Sequence, residues 1–279
     1  MKVTNSMGLP QAFVNAVNLE KHNKEGCYSA TTLLKGACET ILGNRHFDEI
    51  EVDVADCVWQ IWGTAVHSIF EKAGIEGLKE ESFEVPVGNS KVTGRVDLFD
   101  EKNNVLYDWK TASTYKITFN DFEDWRKQGL IYAWLMKQNG VIVKKCRFIA
   151  LLKDHSKSKA KTDPQYPQKP VWNYEFDVTE EALAEIEKFI IAKVQELETQ
   201  SQKADEEITP CTAEERWATE DKWAVMKNGR KTALKLCNSE EEAKSFSGDY
   251  IEFRQGESRK CADYCNCKDF CPFYKALNK

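Results

Sequence analysis

The stretch of sequence that decides the fold is Gly94-Arg95-Val96-Asp97, followed eleven residues further on by Asp108-Trp109-Lys110-Thr111. The first segment lies within an apolar run over residues 91–99, and a second apolar run begins at Val105. Residues 100–104 between them are polar, which indicates a turn. The pattern therefore predicts two short strands joined by a turn.

Pairing of these two strands would place Asp97 and Asp108 near the same end of a sheet. Lys110 would project from the same face as Asp108, because side chains alternate along a strand. Two carboxylates and one ammonium are the groups needed to hold a divalent cation beside a phosphodiester. The segment therefore predicts a nuclease site. An exposed hairpin with solvated charges is the alternative that the same sequence pattern allows.

A helix is predicted upstream, over residues 54–73. Asp53 is suited to cap its start and Gly74 to end it. His67 and Glu71 lie one turn apart and so share a face of this helix. A single histidine on a helix is more often structural than a metal ligand, so this helix alone assigns no function.

A second helix is predicted downstream, over residues 121–138, with Gln128 and Tyr132 one turn apart. With G-x-x-x-H at 63–67 and the two acidic segments, four motifs follow one another between residues 63 and 132. Their order resembles that of the PD-(D/E)XK nuclease superfamily, in particular its RecB-like exonuclease branch. The resemblance implies an α/β, restriction-endonuclease-like core in which a mixed sheet is flanked by helices.

The resemblance also implies a metal site that holds Mg²⁺ or Mn²⁺. By analogy with the RecB-like branch, His67, Asp97 and Asp108 would be ligands, together with the backbone carbonyl of Trp109. Glu71 would complete the site in an outer position or at a second metal. The imidazole ligand favours Mn²⁺ somewhat, because it is softer than a carboxylate oxygen.

Catalytic roles follow from the same resemblance. Asp97 and Asp108 would hold the cation, and Lys110 would orient the attacking water or stabilise the charge that develops on the phosphate. Gln128 and Tyr132 would position the scissile phosphate or the adjacent base.

The chain has ten cysteines, of which four crowd into residues 261–271. We expect the protein to reside in a reducing compartment, where disulfides are rare. Dense thiolates in such a compartment more often collect a metal or a cluster. The group consists of Cys261, Cys265, Cys267 and Cys271.

This spacing resembles the C-terminal cysteine group that binds a [4Fe–4S] cluster in several RecB-like nucleases. There, one upstream cysteine joins three near the C-terminus. The resemblance predicts Cys211, Cys261, Cys265 and Cys271 as ligands, with Cys267 as the alternate. Zn²⁺ is the alternative to the cluster.

The remaining cysteines divide into two groups. Cys27 and Cys237 are weaker candidates for the distant ligand. Cys38, Cys57 and Cys146 lie in apolar patterns and are predicted to be small buried hydrophobic residues.

Three segments are predicted along the chain. Residues 1–52 form an N-terminal helical segment, residues 53–205 form the nuclease core, and residues 206–279 form a hairpin and cysteine-cluster segment packed on that core. Within them, residues 153–170 are predicted to be a basic loop. Asn228-Gly229 predicts a type I′ turn in the C-terminal hairpin.

Composition limits the functional classes. A hydrophobic content of 42% is enough for a core, and no apolar run approaches the length needed to cross a bilayer. Residues 1–20 lack the pattern of a secretion signal, so we expect a cytoplasmic protein of a bacterial cell or a phage-infected host. The net charge of −6 argues against a protein that simply coats DNA.

The leading interpretation is a divalent-metal-dependent DNA exonuclease of recombination, repair or phage DNA processing. No G-x-x-x-x-G-K-[ST] motif is present in these residues, so helicase activity would come from a partner, a helicase or a recombination protein. The alternatives are a non-cleaving DNA-end-binding subunit and an iron–sulfur or zinc structural protein with a coincidental Asp-x-Lys. Cleavage polarity, strand preference and oligomeric state stay open.

Overall fold

The computed structural model describes residues 1–17, 26–73 and 77–277. Gly74, the predicted end of the upstream helix, lies outside these ranges. The strands are β1 Lys2–Thr4, β2 Cys27–Ser29, β3 Glu51–Asp53, β4 Leu78–Val87, β5 Ser90–Asp100, β6 Val105–Ala112, β7 Lys145–Leu152, β8 Val171–Asp177, β9 Lys222–Met226, β10 Lys235–Cys237 and β11 Tyr250–Arg254.

The α-helices vary in length from four residues to twenty-one. In chain order they are α1 Gln11–Asn15, α2 Ala30–Leu33, α3 Ala37–Arg45, α4 Val58–Lys72, α5 Thr114–Thr118, α6 Glu123–Gln138, α7 Lys157–Thr162, α8 Glu180–Gln200, α9 Glu240–Lys244, α10 Arg259–Asp263 and α11 Pro272–Leu277. Across the described ranges, no helix has the length and apolar character that spanning a membrane would require.

Six strands form the central sheet, and β5 is its organising member. β4 pairs with β5 in antiparallel fashion along nearly its whole length, so β2 and β6 share the other edge of β5. β2 pairs there with residues 91–93 and β6 with residues 98–100, which leaves residues 94–97 without a strand partner on that edge. β6 continues in parallel with β7, and β7 pairs antiparallel with β8. The sheet is therefore mixed, as the sequence predicted.

The main core lies between one face of this sheet and helices α6 and α8. Burial alternates along β7, where Cys146, Phe148, Ala150 and Leu152 face the core. Phe148 stacks on Trp125 of α6 at 5.8 Å between ring centroids. Burial of one such aromatic side chain stabilises the fold by about 2 kcal/mol.

Helix α4 covers part of the opposite face. Asp53 accepts a hydrogen bond from the Ala55 backbone N–H, as expected of a capping residue, and a 3₁₀ turn precedes the α-helix. Phe70 of α4 packs on Trp109 of β6 at 4.8 Å. This contact helps to fix the position of α4 relative to β6.

The chain after α8 forms a small antiparallel sheet with β9 between β10 and β11. This sheet has its own small core of Val225, Cys237 and Ala243. The last segment then returns to the main body, where Lys260 pairs with Glu39 of α3 at 2.6 Å. The cysteine-rich end is therefore packed against α3.

Three local predictions differ from the structure. Residues 27–29, expected in a helical segment, form β2 of the central sheet; the three-segment division itself stays a prediction. Residues 153–170 contain the short helix α7, which Ser156 caps. The type I′ turn is wrong, because such a turn needs two positive φ angles and only Gly229 has one, in a connection that runs from Met226 to Lys235.

Candidate active site

The site begins at the point where β5 and β6 separate. The antiparallel register pairs Leu98 with Tyr107, so Asp97 is the first residue of β5 beyond the ladder. Its Oδ2 accepts a hydrogen bond of 2.7 Å from the Trp109 backbone N–H. The Asp97 side chain thus replaces a backbone hydrogen bond between β5 and β6, and this fixes its carboxylate beside β6.

Helix α4 supplies His67 to the same point. His67 Nδ1 lies 3.2 Å from Asp97 Oδ1. The pKa of His67 is raised, chiefly by its hydrogen bond to Asp97 and against the opposing effect of burial. The two residues that the sequence predicted as ligands from separate elements are thus in direct contact.

Glu80 of β4 is a member of this site that sequence reasoning missed. His67, Glu80 and Asp97 each offer a ligand atom, and these atoms lie within 4.8 Å of one another. The β4–β5 register places Glu80 opposite Asp97. The residues on either side of Glu80 pair with β5, whereas Glu80 and Asp97 do not form a ladder pair. Glu80 also has a φ of 48°, in the left-handed region that non-glycine residues rarely adopt.

Glu71, the predicted additional ligand, takes a different position. Its carboxylate lies 3.9 Å from the guanidinium of Arg95 and outside the group of three ligand atoms. Arg95 also pairs with Glu80, whose pKa is raised by burial although Arg95 opposes that effect. Only the pairing of β4 with β5 reveals Glu80, because in the sequence it is one acidic residue among several neighbours.

Asp108 is the buried carboxylate of the site, with 4% of its surface exposed. Burial raises its pKa from 3.8 to about 6, although the nearby Lys110 counteracts the effect. Lys110 Nζ lies 2.6 Å from Asp108 Oδ2, so the ammonium is the partner of this carboxylate oxygen. The ion pair offsets part of the cost of burying the charge of Asp108.

Helix α6 holds the ammonium of Lys110. Lys110 Nζ donates a hydrogen bond of 2.8 Å to Gln128 Oε1, and Gln128 Nε2 donates one of 2.9 Å to the hydroxyl of Tyr132. The chain of contacts from Asp108 to Tyr132 runs through the interior, and burial raises the pKa of Tyr132. Gly94 of β5 makes room for the ring, since a Cβ there would lie 2.8 Å from Tyr132 Cδ1.

The cysteines form a second cluster at the junction of α3 with the C-terminal segment. Six thiols line one small cavity of about 20 Å³, roughly the space of a single water molecule. They comprise Cys38, Cys211, Cys261, Cys265, Cys267 and Cys271. The structure thus brings together the five cysteines that the sequence singled out, and adds Cys38.

Cys38 was expected to be only a buried hydrophobic residue. It is buried, but its thiol lies beside those of Cys211 and Cys271, and hydrogen bonds to both raise its pKa. The hydrogen bond from Cys38, together with backbone N–H groups at the start of α11, lowers the pKa of Cys271 to about 6. The apolar pattern around Cys38 gave no indication of a ligand role. Its thiol neighbours are evident only from the packing of the C-terminal segment on α3.

The other thiols of the cavity are also close together. Cys265 Sγ and Cys267 Sγ are 3.5 Å apart, and Cys267 Sγ lies 3.5 Å from the Glu39 carbonyl. Burial raises the pKa of Cys261 to about 11. Among the described residues, no three thiols lie within 4.8 Å of one another, the spacing that the acidic site achieves.

A mixed sheet flanked by helices, with an acidic cluster beside a buried Asp-x-Lys pair, defines the class of α/β nucleases. The family model of the PD-(D/E)XK nuclease superfamily matches residues 39–272, which is most of the chain. The chain belongs to this superfamily, and it is a nuclease, a hydrolase of phosphodiester bonds. Among curated proteins, none matches the sequence significantly.

Several solved structures are similar to this one. The crystal structure of SSO0001 is 17% identical with a TM-score of 0.47, over 66% of this chain and 83% of that one. An alkaline exonuclease of Laribacter hongkongensis, LHK-Exo, is 16% identical with a TM-score of 0.41, over 63% and 90%. A phage-related exonuclease of Haemophilus somnus 129PT is 12% identical with a TM-score of 0.38, over 61% and 92%.

Proposed function

We propose that this protein is a divalent-metal-dependent DNA exonuclease that acts in recombination, repair or phage DNA processing. One observation carries the proposal: the ligand atoms of His67, Glu80 and Asp97 lie within 4.8 Å of one another, directly beside the buried Asp108–Lys110 pair. Three potential ligand atoms gathered this closely support a divalent cation at this position.

The residues present fit Mg²⁺ or Mn²⁺. His67, Glu80, Asp97 and Asp108 would hold the cation, and the Trp109 carbonyl remains a predicted ligand. A divalent ion so held lowers the pKa of a bound water and offsets negative charge on the phosphate.

The chain's own residues would supply the remaining functions. Lys110 presents its ammonium next to the carboxylates and can orient the attacking water or stabilise charge on the phosphate oxygens. Gln128 restrains the Lys110 ammonium, and the hydroxyl of Tyr132 in turn restrains Gln128. Because this relay is buried, Lys110 is held in one position rather than free in solvent, as electrostatic catalysis requires.

A run of basic residues follows α6 between Lys144 and Lys161, and its first members contribute less to DNA binding than their charge suggests. Lys145 and Arg147 both pair with Glu175 of β8, at 3.1 and 2.7 Å. Lys145 also lies 3.6 Å from Asp177, so two carboxylates of β8 offset the two cations, and binding of DNA would depend more on other basic residues.

We also propose that the cysteine cavity is a metal centre, with a [4Fe–4S] cluster as the leading candidate and Zn²⁺ as the alternative. The donor set supports a metal, since six thiols gather in one place. A tetrahedral zinc site would draw four sulfurs to roughly 3.8 Å from one another, closer than any three thiols lie among the described residues. Because the cavity is small, the thiols would move outward to hold a cluster.

The nuclease proposal is tested by digestion of end-labelled single- and double-stranded DNA with Mn²⁺, Mg²⁺ or EDTA. The wild-type protein should cleave only with metal, and Asp108→Asn or Lys110→Met should lower the rate about a hundredfold or more. Lys116→Met is a matched control, because Lys116 pairs with Asp124 away from the site. Release of mononucleotides from an end would identify an exonuclease, whereas metal-independent binding without cleavage would identify the end-binding subunit.

The metal centre is tested by purification without oxygen, followed by absorption spectra and by assays of iron, sulfide and zinc. A brown protein with iron and acid-labile sulfide supports the cluster, and stoichiometric zinc without visible absorption supports the alternative. Alanine variants of Cys38, Cys211, Cys261, Cys265, Cys267 and Cys271, each analysed for bound metal, identify the ligands independently of activity. Cys146→Ala is the matched control, since that thiol is buried elsewhere in the core.

A further inference from the structure

A large cavity adjoins the catalytic residues at the gap in the sheet. Its volume is about 550 Å³, and it lies where β2 leaves β5, between α2, α3 and the C-terminal segment. Tyr132 and Arg95 line it, so it opens beside the Lys110–Gln128–Tyr132 relay. A space of this size is in the range of small-ligand sites and can hold a nucleotide.

The cavity is lined by groups of positive and hydrogen-bonding character. Lys35 contributes a cation, and the acidic residue of the lining, Glu39, is already bound by Lys260. Arg95 also lines the cavity, but its guanidinium pairs with Glu80 and Glu71. The hydroxyl of Thr40 also lines the cavity, is buried, and has no hydrogen-bonding partner in the described part of the chain. These are the groups that bind a phosphodiester backbone.

Two exposed aromatic side chains lie beside the cavity, one in its lining and the other packed against the first. Tyr264 lines the cavity and is 66% exposed, and the ring of Trp217, 53% exposed, meets it edge-on at 5.3 Å between centroids. Lys260 Nζ lies 6.0 Å from the centre of the Trp217 ring. Large aromatic side chains in this setting leave ring faces open to a ligand.

The backbone conformation of Trp217 is unusual for its residue type. Its φ is 50°, its N–H bonds to the Glu214 carbonyl, and the next N–H bonds to the Ala213 carbonyl. This is the hydrogen-bond pattern of a Schellman turn, in which glycine normally occupies the left-handed position. A tryptophan held there against its conformational preference, and exposed, is not explained by packing.

We propose that Trp217 and Tyr264, with the cavity they border, bind unpaired bases of single-stranded DNA and guide the strand to the metal site. The proposal rests on the nuclease function above and names its substrate class. Exposed aromatic faces beside cations are a general means of holding single strands, since every base can stack on them. A duplex is disfavoured because its base faces are already stacked on one another.

The test measures binding of fluorescent oligothymidylate in EDTA, so that no cleavage occurs, to the full-length protein. Trp217→Gly should weaken binding about tenfold while its melting temperature stays equal or rises, because glycine suits the positive φ. Tyr264→Ala should weaken binding similarly, and Trp217→Phe should keep most of the affinity. Opposite changes in stability and binding separate a binding role from a structural one.

Three controls complete the test. An abasic oligonucleotide of equal length should bind the wild-type protein and Trp217→Gly equally, because it has no bases to stack. Blunt duplex DNA should be unaffected by the substitution. Trp59→Ala removes a tryptophan of similar exposure, 54%, on α4 and should leave oligothymidylate binding unchanged.

Two results would overturn the inference: equal affinity of wild type and Trp217→Gly for oligothymidylate, or an equal loss in Trp59→Ala. Metal-dependent cleavage by the wild-type protein shows whether the stacking site alone or the nuclease proposal has failed. Cleavage without Trp217-dependent binding rejects the stacking site alone. Trp217-dependent binding without cleavage rejects the nuclease proposal and retains the site.

Discussion

Replacement of Asp108 by asparagine should stabilise the metal-free protein while abolishing its activity. The buried carboxyl has a folded-state pKa of about 6 against an ordinary value of 3.8, with burial as the main cause. A shift of about two units corresponds to about 3 kcal/mol between the two protonation states. This pKa already includes the stabilising effect of Lys110 on the charged carboxylate. Asparagine, which carries no charge, should therefore raise the free energy of unfolding at neutral pH by most of that amount.

The sign of the effect depends on pH. A carboxyl whose pKa is higher in the folded state binds its proton more tightly there, so stability falls as pH rises through the interval from about 4 to about 6. Above that interval the wild-type protein carries the full penalty, and below about pH 4 it carries none. The difference between Asp108→Asn and wild type should therefore be largest near pH 8 and vanish near pH 4.

The assay is urea denaturation in EDTA at several pH values, with the slope m checked for equality between the two proteins. Added Mg²⁺ should stabilise the wild-type protein and have little effect on the variant. Asp100→Asn is a control of opposite sign, since hydrogen bonds from Asn103 lower the pKa of that exposed carboxyl. If Asp108→Asn were less stable than wild type near pH 8 in EDTA, burial would not govern this carboxylate and the reasoning would be refuted.

Three further predictions concern other parts of the molecule. Gly94→Ala should lower the free energy of unfolding by about 2 kcal/mol in urea denaturation, because its Cβ would meet Tyr132 at 2.8 Å; unchanged stability would show that the ring moves freely. Glu80→Gln should weaken Mn²⁺ binding about tenfold in calorimetry, and an equal affinity would remove Glu80 from the ligand set. Glu215→Ala, which takes one partner from the buried Lys193, should cost about 2 kcal/mol in the same denaturation assay, with no change expected if Glu196 suffices.

Much of the central architecture could be predicted from local pattern. The alternation over β5 and β6 predicted the two strands, and the helical spacing predicted α4 and α6 to within a few residues. These predictions succeeded because period-two and one-turn spacings are local properties of the backbone. They also placed Asp108 and Lys110 on one face, where the structure shows them in contact.

Contacts between distant segments could not be predicted in this way. Glu80 reaches the site only through the register of β4 on β5, and Cys38 reaches the other thiols only because the C-terminal segment packs on α3. No sequence pattern singles out Trp217, whose positive φ and contact with Tyr264 appear only in the folded structure. Each of these depends on long-range pairing that single-sequence periodicity does not encode.

By itself, the sequence determined the chemistry of this protein: the Asp-x-Lys strand, the helix with His67 and the dense cysteines are local patterns with local physical causes. The tertiary structure decided which of these groups meet. Burial by the sheet and α6 shifts the pKa of Asp108, and the gap between β2 and β6 opens the cavity next to Tyr132. Desolvation and register both depend on segments far apart in the chain, and so only the folded molecule fixes them.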